Sequence, residues 1–233
     1  MIWISDEWKD YEVLDATDGE RLERWGKHIL VRPDPQVIWN TPRIDRNWNN
    51  FDARYIRSNT GGGRWTDHDL PDRWQIKYKD YLTFNVKPMN FKHTGVFPEQ
   101  AANWDFIREK VASRAARKPV RVLNLFAYSG GATLAAAAGG AEVWHVDASK
   151  GMVAWAKENA VASDWPTAPS TGSSMTAPSS SSARSAVAAA MTASSWTLPA
   201  MAAVPPVRSG RWRPASILSC RKRQSCSAMI LCS

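Results

Sequence analysis

Acidic residues are missing from nearly the last third of this sequence. All 22 Asp and Glu residues lie at or before Asp164, whereas residues 165–233 are dominated by Ser, Ala, Pro and Arg. A segment of this composition buries too little apolar surface to offset the loss of chain entropy on folding. We therefore predict that residues 165–233 form a low-complexity, disordered tail and that the globular part ends at residue 164.

A surplus of basic charge is also missing from the globular part, despite the formal net charge of +8 for the whole chain. Residues 1–164 carry 23 basic and 22 acidic side chains, which leaves a net charge of +1. The other basic residues lie in the tail: Arg184, Arg208, Arg211, Arg213, Arg221, Lys222 and Arg223. The basic balance of the chain is therefore no argument that it binds nucleic acid.

Cysteines and long apolar runs are scarce. The three cysteines, Cys220, Cys226 and Cys232, all lie in the tail, and their spacing matches no strong metal-binding pattern. No apolar run approaches the roughly 18 residues of a membrane span, and the first seven residues lack the basic start and apolar centre of a signal peptide. We predict a cytoplasmic protein with no bound metal and no membrane contact.

Residues 1–90 have the pattern of a small β-rich N-terminal domain. Apolar and polar side chains alternate on both sides of the short segment 79–81, which predicts a hairpin with one buried face. The apolar positions are Trp74, Ile76, Tyr78, Leu82, Phe84 and Val86. A second domain is predicted over residues 91–164.

Three tryptophans of the first domain, Trp39, Trp48 and Trp65, are interleaved with arginines. Together they could form a surface on which unpaired bases stack. Half-buried tryptophans at the rim of a sheet, among solvated charges, are the more common arrangement, and we favour it.

The second domain begins with a predicted helix. Pro98 suits a first helical position, and Glu99 complements the positive end of the helix dipole. Trp104, Ile107 and Val111 recur on one helical face, which predicts a single buried stripe.

Residues 122–147 are typical of half a nucleoside-binding site. A short apolar strand from residue 122 ends at the turn 129–131, a small-residue helix covers 132–138, and a second strand over 142–146 leads to Asp147. Because ligands bind at the carboxyl ends of the strands in open α/β sheets, the turn and Asp147 should face one crevice. A carboxylate there can accept hydrogen bonds from both hydroxyls of a ribose.

The turn lacks the G-x-G-x-x-G spacing that binds the pyrophosphate of a dinucleotide. Phe126 and Tyr128 lie close to it instead, and aromatic faces suit a cation without phosphates, such as the sulfonium of S-adenosylmethionine. Each aromatic residue taken singly would more often be part of the core. Together with Gly130 and Asp147, they favour a nucleoside site.

Several motifs in order give a more specific resemblance. Leu-Asn-Leu-Phe-Ala-Tyr-Ser-Gly-Gly at 123–131, Val-Asp-Ala-Ser at 146–149, Ala-Lys-Glu-Asn-Ala at 156–160 and the segment 91–100 resemble class I S-adenosylmethionine-dependent methyltransferases. The most similar subset is the bacterial 23S ribosomal-RNA large-subunit methyltransferases. The resemblance implies that the cofactor contacts are Gly95, Phe97, Gln100, Phe126, Tyr128, Ser129, Gly130, Asp147 and Ser149.

The resemblance also implies a fold and a reaction. The fold would be α/β, with an incomplete Rossmann-like methyltransferase sheet preceded by the small β-rich domain, so that residues 91–164 are the N-terminal half of the cofactor-binding domain. The cofactor would be S-adenosylmethionine, and the substrate a base of ribosomal RNA. Two alternatives stay open: a nicotinamide-dependent oxidoreductase on a similar sheet, and a non-catalytic RNA-binding fragment.

We favour a shift of reading frame as the explanation of the tail, over a natural disordered linker. Trp196 has one codon, which ends in G, and every Thr codon begins with AC, so reading from that G gives Asp across Trp196 and Thr197. Codons available to residues 198–200 then allow Pro-Pro-Ser, and Met201 allows Tyr-Gly. The resulting Asp-Pro-Pro-Ser-Tyr-Gly is similar to the family's catalytic loop. On this hypothesis the 233-residue chain lacks the C-terminal half of the enzyme and is inactive. No catalytic residue is therefore assigned within it.

Overall fold

The computed structural model describes residues 4–59, 61–66 and 70–165, together with the backbone of three strands at 175–176, 214–218 and 228–232. The chain divides into two compact units, Met1–Ala102 and Asn103–Ser233. The domain boundaries at residues 90 and 164 stay predictions.

The first unit contains a five-stranded sheet and a separate hairpin. The sheet has the order β1 (Tyr11–Thr17), β2 (Glu20–Trp25), β3 (His28–Pro33), β4 (Ala53–Arg57) and β5 (Gly63–Trp65). Adjacent strands of this sheet are antiparallel, except for β3 and β4, which are parallel. The hairpin pairs β6 (Trp74–Tyr78) with β7 (Leu82–Val86). A 3-10 helix over Arg46–Asn49 lies between β3 and β4, and Asp45 caps it.

The predicted hairpin is present, but its two strands differ in burial. In β6 the buried residues Ile76 and Tyr78 alternate with the exposed Gln75 and Lys77, as the pattern predicts. Every residue of β7 is buried, including the polar Thr83 and Asn85. The prediction of one exposed face is therefore wrong for β7, because alternation in sequence does not reveal that both faces of a strand are covered.

The three interleaved tryptophans have different environments. Trp48 is buried, and its indole N–H donates to Asp15 Oδ2 at 2.7 Å, while the guanidinium of Arg43 lies 4.3 Å from its ring centre. Trp65 is half-buried and donates to the carbonyl of Met89 at 2.9 Å. Trp39 is about half exposed. Because Trp48 is buried, the three tryptophans do not form one base-stacking surface. Trp65 instead has the half-buried position that we favour from the sequence.

A buried cluster of polar groups crosses the first sheet. Glu23 on β2 is fully buried and accepts hydrogen bonds from Arg32 on β3 and from the hydroxyl of Tyr11 on β1. Arg32 also donates to the carbonyl of Lys92 at 3.0 Å. The cluster therefore joins three strands to the segment that follows β7.

The second unit contains the predicted strand, turn, helix and strand. The helix α1 (Ala101–Ala115), most of which lies in this unit, is preceded by a 3-10 turn at Pro98–Gln100 and is followed by β8 (Val120–Leu125). Next come α2 (Gly131–Ala138), β9 (Ala141–Val146) and α3 (Lys150–Ala162). β8 and β9 are parallel, with Asn124 opposite His145. The left-handed residue that follows α2 is Gly140, with φ of +93°.

The remaining strands of this sheet are β10 (Met175–Thr176), β11 (Pro214–Leu218) and β12 (Ala228–Cys232), and the order is β10-β9-β8-β12-β11. β10 is parallel to β9, and β12 is antiparallel to β8. Except for Trp165 and the backbone of these strands, the predicted tail lies outside the described residues. Its disorder and its shifted frame therefore stay predictions.

Small side chains let α1, α2 and the sheet pack closely. Val111 of α1, Val122 of β8, Ala136 of α2 and Val143 of β9 belong to one buried cluster. The predicted stripe on α1 is confirmed, since Trp104 and Val111 are buried and Ile107 is partly buried. Within the described part of the chain, no helix is long and apolar enough to cross a membrane.

Candidate functional site

The turn between β8 and α2 has an unusual backbone. Phe126, Tyr128 and Gly130 have φ of 55°, 52° and 97°, so three of five successive residues are in the left-handed region. Non-glycine residues rarely adopt this conformation, and it persists only where surrounding contacts impose it. Such strain is concentrated at functional sites. The ring of Phe126 is 41% exposed beside this turn.

Asp147 supplies one of those contacts. It follows β9, and its Oδ2 accepts a hydrogen bond from the backbone N–H of Tyr128 at 2.9 Å, while its Oδ1 accepts one from the N–H of Ser149 at 2.8 Å. A carboxylate has about four acceptor positions, so two further hydrogen bonds can be accepted. The carboxylate is half-buried. It can therefore hold the turn and receive two hydroxyl groups of a ligand.

The glycine turn is packed against α3. A Cβ on Gly130 would lie 3.1 Å from the Cβ of Ala156. A Cβ on Gly131 would lie 2.6 Å from the indole of Trp104, so no side chain fits there. Ser129 is buried, and its carbonyl accepts a hydrogen bond from the side-chain amide of Asn159 at 2.9 Å. The turn thus needs glycine both for its backbone conformation and for its close packing.

Ser149 begins α3. Its side-chain oxygen accepts a hydrogen bond from the N–H of Met152 at 3.3 Å, which is the usual arrangement at a helix N-cap. The residue is exposed, and its hydroxyl hydrogen can still be donated. Its position beside Asp147 suits a polar contact with a ligand.

A buried chain of polar side chains lies behind the turn, and it was not predicted from the sequence. The amide of Asn124 donates to Thr133 Oγ1 at 2.8 Å, and Nδ1 of His145 lies 3.0 Å from the same oxygen. Burial lowers the pKa of His145 to about 4, although the carboxylate of Asp147 opposes this shift. His145 is therefore neutral near pH 7. The available signal was one polar residue near the carboxyl end of each of two mostly apolar strands, Asn124 and His145, at paired positions.

The other predicted contacts lie in the first unit. Gly95 is buried with φ of +106°, and Phe97 and Gln100 are half-buried. The ring of Phe97 lies 5.2 Å from that of His93, and the N–H of Gln100 donates to the carbonyl of Phe97 at 3.0 Å. The role of these three residues as cofactor contacts stays a prediction.

The comparisons with known proteins agree on one family. No protein-family model matches the chain. The crystal structure of an S-adenosylmethionine-dependent methyltransferase from Agrobacterium tumefaciens is 37% identical, with a TM-score of 0.64, over 72% of this chain and 52% of that one. The chain resembles the class I S-adenosylmethionine-dependent methyltransferases. This confirms the family resemblance and the α/β methyltransferase fold predicted from the sequence.

Further relatives of this methyltransferase-like chain agree with that result. A protein from Magnetococcus marinus named ribosomal RNA large subunit methyltransferase K/L is 40% identical over 79 residues, which are 34% of this chain and 10% of that protein. The protein of the same name from Chromohalobacter salexigens is 33% identical over 108 residues, 46% of this chain and 13% of that protein. The chain thus spans about half of the solved relative and about a tenth of the curated ones.

A solved structure of a protein in complex with SAH is 18% identical and has a TM-score of 0.53, over 80% of this chain and 50% of that one. At this identity the likeness concerns the fold alone.

Within the methyltransferase-like unit, hydrogen bonds and packing bring together Tyr128, Ser129, Gly130, Asp147 and Ser149, with Phe126 beside them.

Proposed function

We propose that this chain carries the S-adenosylmethionine-binding half of a methyltransferase that acts on a base of ribosomal RNA. The observation that carries the proposal is the carboxylate of Asp147, which holds the strained turn through Tyr128 and keeps acceptor positions for two hydroxyls. The curated relatives, named as ribosomal RNA large subunit methyltransferases, support the choice of substrate.

The residues of the turn fit the groups of this cofactor. Asp147 would accept hydrogen bonds from the ribose hydroxyls, and Gly130 lets the turn lie close to α3, where a Cβ would meet Ala156. The exposed face of Phe126 can attract a sulfonium, an interaction worth about 0.5–2 kcal/mol. When bound, S-adenosylmethionine supplies a methyl group on a positively charged sulfur.

Replacing Asp147 by Asn tests the binding site. The ribose would lose two charge-assisted hydrogen bonds, each stronger than a neutral one by about 1 kcal/mol, so S-adenosylhomocysteine should bind the variant at least about 30-fold more weakly. The measurement is isothermal calorimetry on the 233-residue chain.

Asp45→Asn is the matched control, because Asp45 also accepts a hydrogen bond from a backbone N–H, that of Asn47 at 2.8 Å. Its affinity for S-adenosylhomocysteine should equal that of the unaltered chain. Absence of binding by the unaltered chain, or equal binding by Asp147→Asn, would falsify the cofactor assignment.

The same titration with a nicotinamide dinucleotide distinguishes the proposed methyltransferase from the main alternative, a nicotinamide-dependent oxidoreductase. The turn lacks the glycine spacing that seats a pyrophosphate, so we expect no heat of binding. The comparisons favour neither the oxidoreductase nor the non-catalytic RNA-binding fragment.

We further propose that the 233-residue chain does not transfer methyl groups, because the loop that the family uses for catalysis is recovered only in the shifted frame. Tritiated S-adenosylmethionine should label ribosomal RNA with the frame-corrected protein and not with this chain. Robust labelling by this chain, or an intact frame across codons 161–166 shared by relatives with the same tail, would contradict this.

The cytoplasmic location of the protein stays a prediction.

A further inference from the structure

The side chain of Asn159 is fully buried on α3, between the buried Trp155, Ala156 and Ala160 of the same helix. A buried amide is unfavourable unless it is hydrogen-bonded. Its Nδ2 donates to the carbonyl of Ser129 at 2.9 Å, thirty positions earlier in the chain. The amide is therefore directed at the glycine turn and away from its own helix.

The turn meets the same face of α3 at a second point. Ala156 lies three positions before Asn159, so the two side chains are neighbours on the helix. Ala156 is the residue that a Cβ on Gly130 would meet, at 3.1 Å. Two successive residues of the turn, Ser129 and Gly130, are thus positioned by one helical face.

The first turn of α3 is tied to the other side of the site. Ser149, the N-cap of α3, donates its N–H to Asp147, and Asp147 accepts the N–H of Tyr128. The contacts therefore form a closed circuit: turn to Asp147, Asp147 to the start of α3, and Asn159 back to the turn.

We propose that Asn159 is a positioning residue that sets the distance between the glycine turn and Asp147, and thereby the affinity for the nucleoside part of the cofactor. The inference rests on the proposed function. Loss of the amide opens the circuit at one point, so Tyr128 and Gly130 can move relative to the carboxylate. Local strain in the turn favours that movement, because its left-handed residues are held only by their contacts.

The test compares Asn159→Leu, which keeps the branched shape of the side chain with a somewhat larger volume, with Ala160→Gly. Ala160 is a buried neighbour on α3, and its replacement by glycine weakens the helix without removing a hydrogen bond to the turn. S-adenosylhomocysteine should bind Asn159→Leu about tenfold more weakly, the equivalent of one hydrogen bond, and Ala160→Gly within twofold of the unaltered chain. Both are measured by calorimetry at a temperature where each variant is folded.

Hydrogen exchange gives a readout that a general loss of stability would not reproduce. The amide of Tyr128, which is bonded to Asp147, should exchange faster in Asn159→Leu relative to the amides of β9, but not in Ala160→Gly. Should Asn159→Leu not fold, Asn159→Ser replaces it, because its side chain is too short to reach the carbonyl of Ser129.

The outcomes separate this inference from the function on which it rests. If the unaltered chain binds S-adenosylhomocysteine and the Asn159 variants bind it equally well, the positioning role is wrong and the cofactor site stands. An equal loss of affinity in Ala160→Gly also overturns the positioning role. If Asp147→Asn binds like the unaltered chain, the cofactor site and the positioning role are both wrong.

Discussion

Replacing Arg32 by Met is expected to lower the free energy of unfolding of the first unit by about 3–5 kcal/mol, because it leaves a buried carboxylate without the counter-charge that is hydrogen-bonded to it. Arg32 Nη2 donates to Glu23 Oε1 at 2.8 Å and its Nε donates to Oε2, so the contact is bidentate. The hydroxyl of Tyr11 donates to the same carboxylate at 2.7 Å. Both carboxylate oxygens of Glu23 thus accept hydrogen bonds inside the sheet.

The ionisation of this cluster explains the size of the effect. Burial alone would raise the pKa of Glu23, but the guanidinium of Arg32, together with Arg21 and the hydroxyl of Tyr11, more than offsets it, so that the pKa is lowered overall. Burial also raises the pKa of Tyr11, and the charge of Glu23 adds to that shift. Glu23 is therefore a carboxylate in the folded protein, and Arg32→Met would leave that charge with the hydroxyl of Tyr11 and a longer contact to Arg21 at 3.8 Å.

An exposed ion pair of the same sheet is the control. Arg24 on β2 contacts Glu12 on β1 at 3.1 Å, and both side chains are solvent-accessible. Arg24→Met should therefore change the free energy of unfolding by about 0–1 kcal/mol. Urea-dependent hydrogen exchange of the β2 and β3 amides measures the free energy of unfolding of the first unit in both variants.

Equal losses of this free energy in Arg32→Met and Arg24→Met would contradict the expectation. The double variant Glu23→Leu with Arg32→Met should restore much of the stability.

Acidification is expected to destabilise the second unit through His145. The folded protein keeps this imidazole neutral down to a pH near its pKa of about 4, whereas the unfolded chain takes up a proton below pH 6.5. Protonation therefore favours the unfolded state between these two values. The free energy of unfolding should fall by about 3 kcal/mol in total as the pH drops through this window, and level off below it with respect to this group.

The variant His145→Gln isolates this contribution. It removes the titrating group, so the free energy of unfolding of the second unit should depend less on pH between 6.5 and 4. Hydrogen exchange of the β8 and β9 amides measures this free energy. His28→Gln, in the first unit, serves as the control and should leave that dependence unchanged. A His145→Gln variant with the full pH dependence would show that another group is responsible.

Local patterns were sufficient for the elements around the site. Residues 122–147 were predicted as strand, glycine turn, helix and strand, and the structure has β8, α2 and β9 there. The buried stripe on α1 and the hairpin of β6 and β7 followed from spacing in the same way. Apolar periodicity and glycine placement act within a few residues, so they can be seen in a single sequence.

Contacts between distant polar groups could not be predicted in this way. Nothing in the spacing indicates that Asn159 reaches Ser129, or that Thr133 joins Asn124 to His145. The complete burial of Glu23 was likewise invisible, since β2 reads Glu-Arg-Leu-Glu-Arg-Trp and nothing in it distinguishes Glu23 from the other charged residues. Polar side chains can satisfy their hydrogen bonds with water or with any suitable partner, and only the packed structure decides which.

Local motifs are enough to predict the family resemblance, the α/β order of the second unit, and the placing of Gly130 and Asp147 at the ends of neighbouring strands. How Asp147 is used depends on the contacts of the folded chain. Its two oxygens bind the N–H groups of Tyr128 and Ser149, and the polar chain of His145 lies behind the turn. The reason is physical: strand order fixes which ends meet, but side-chain packing fixes which atoms remain to receive a ligand.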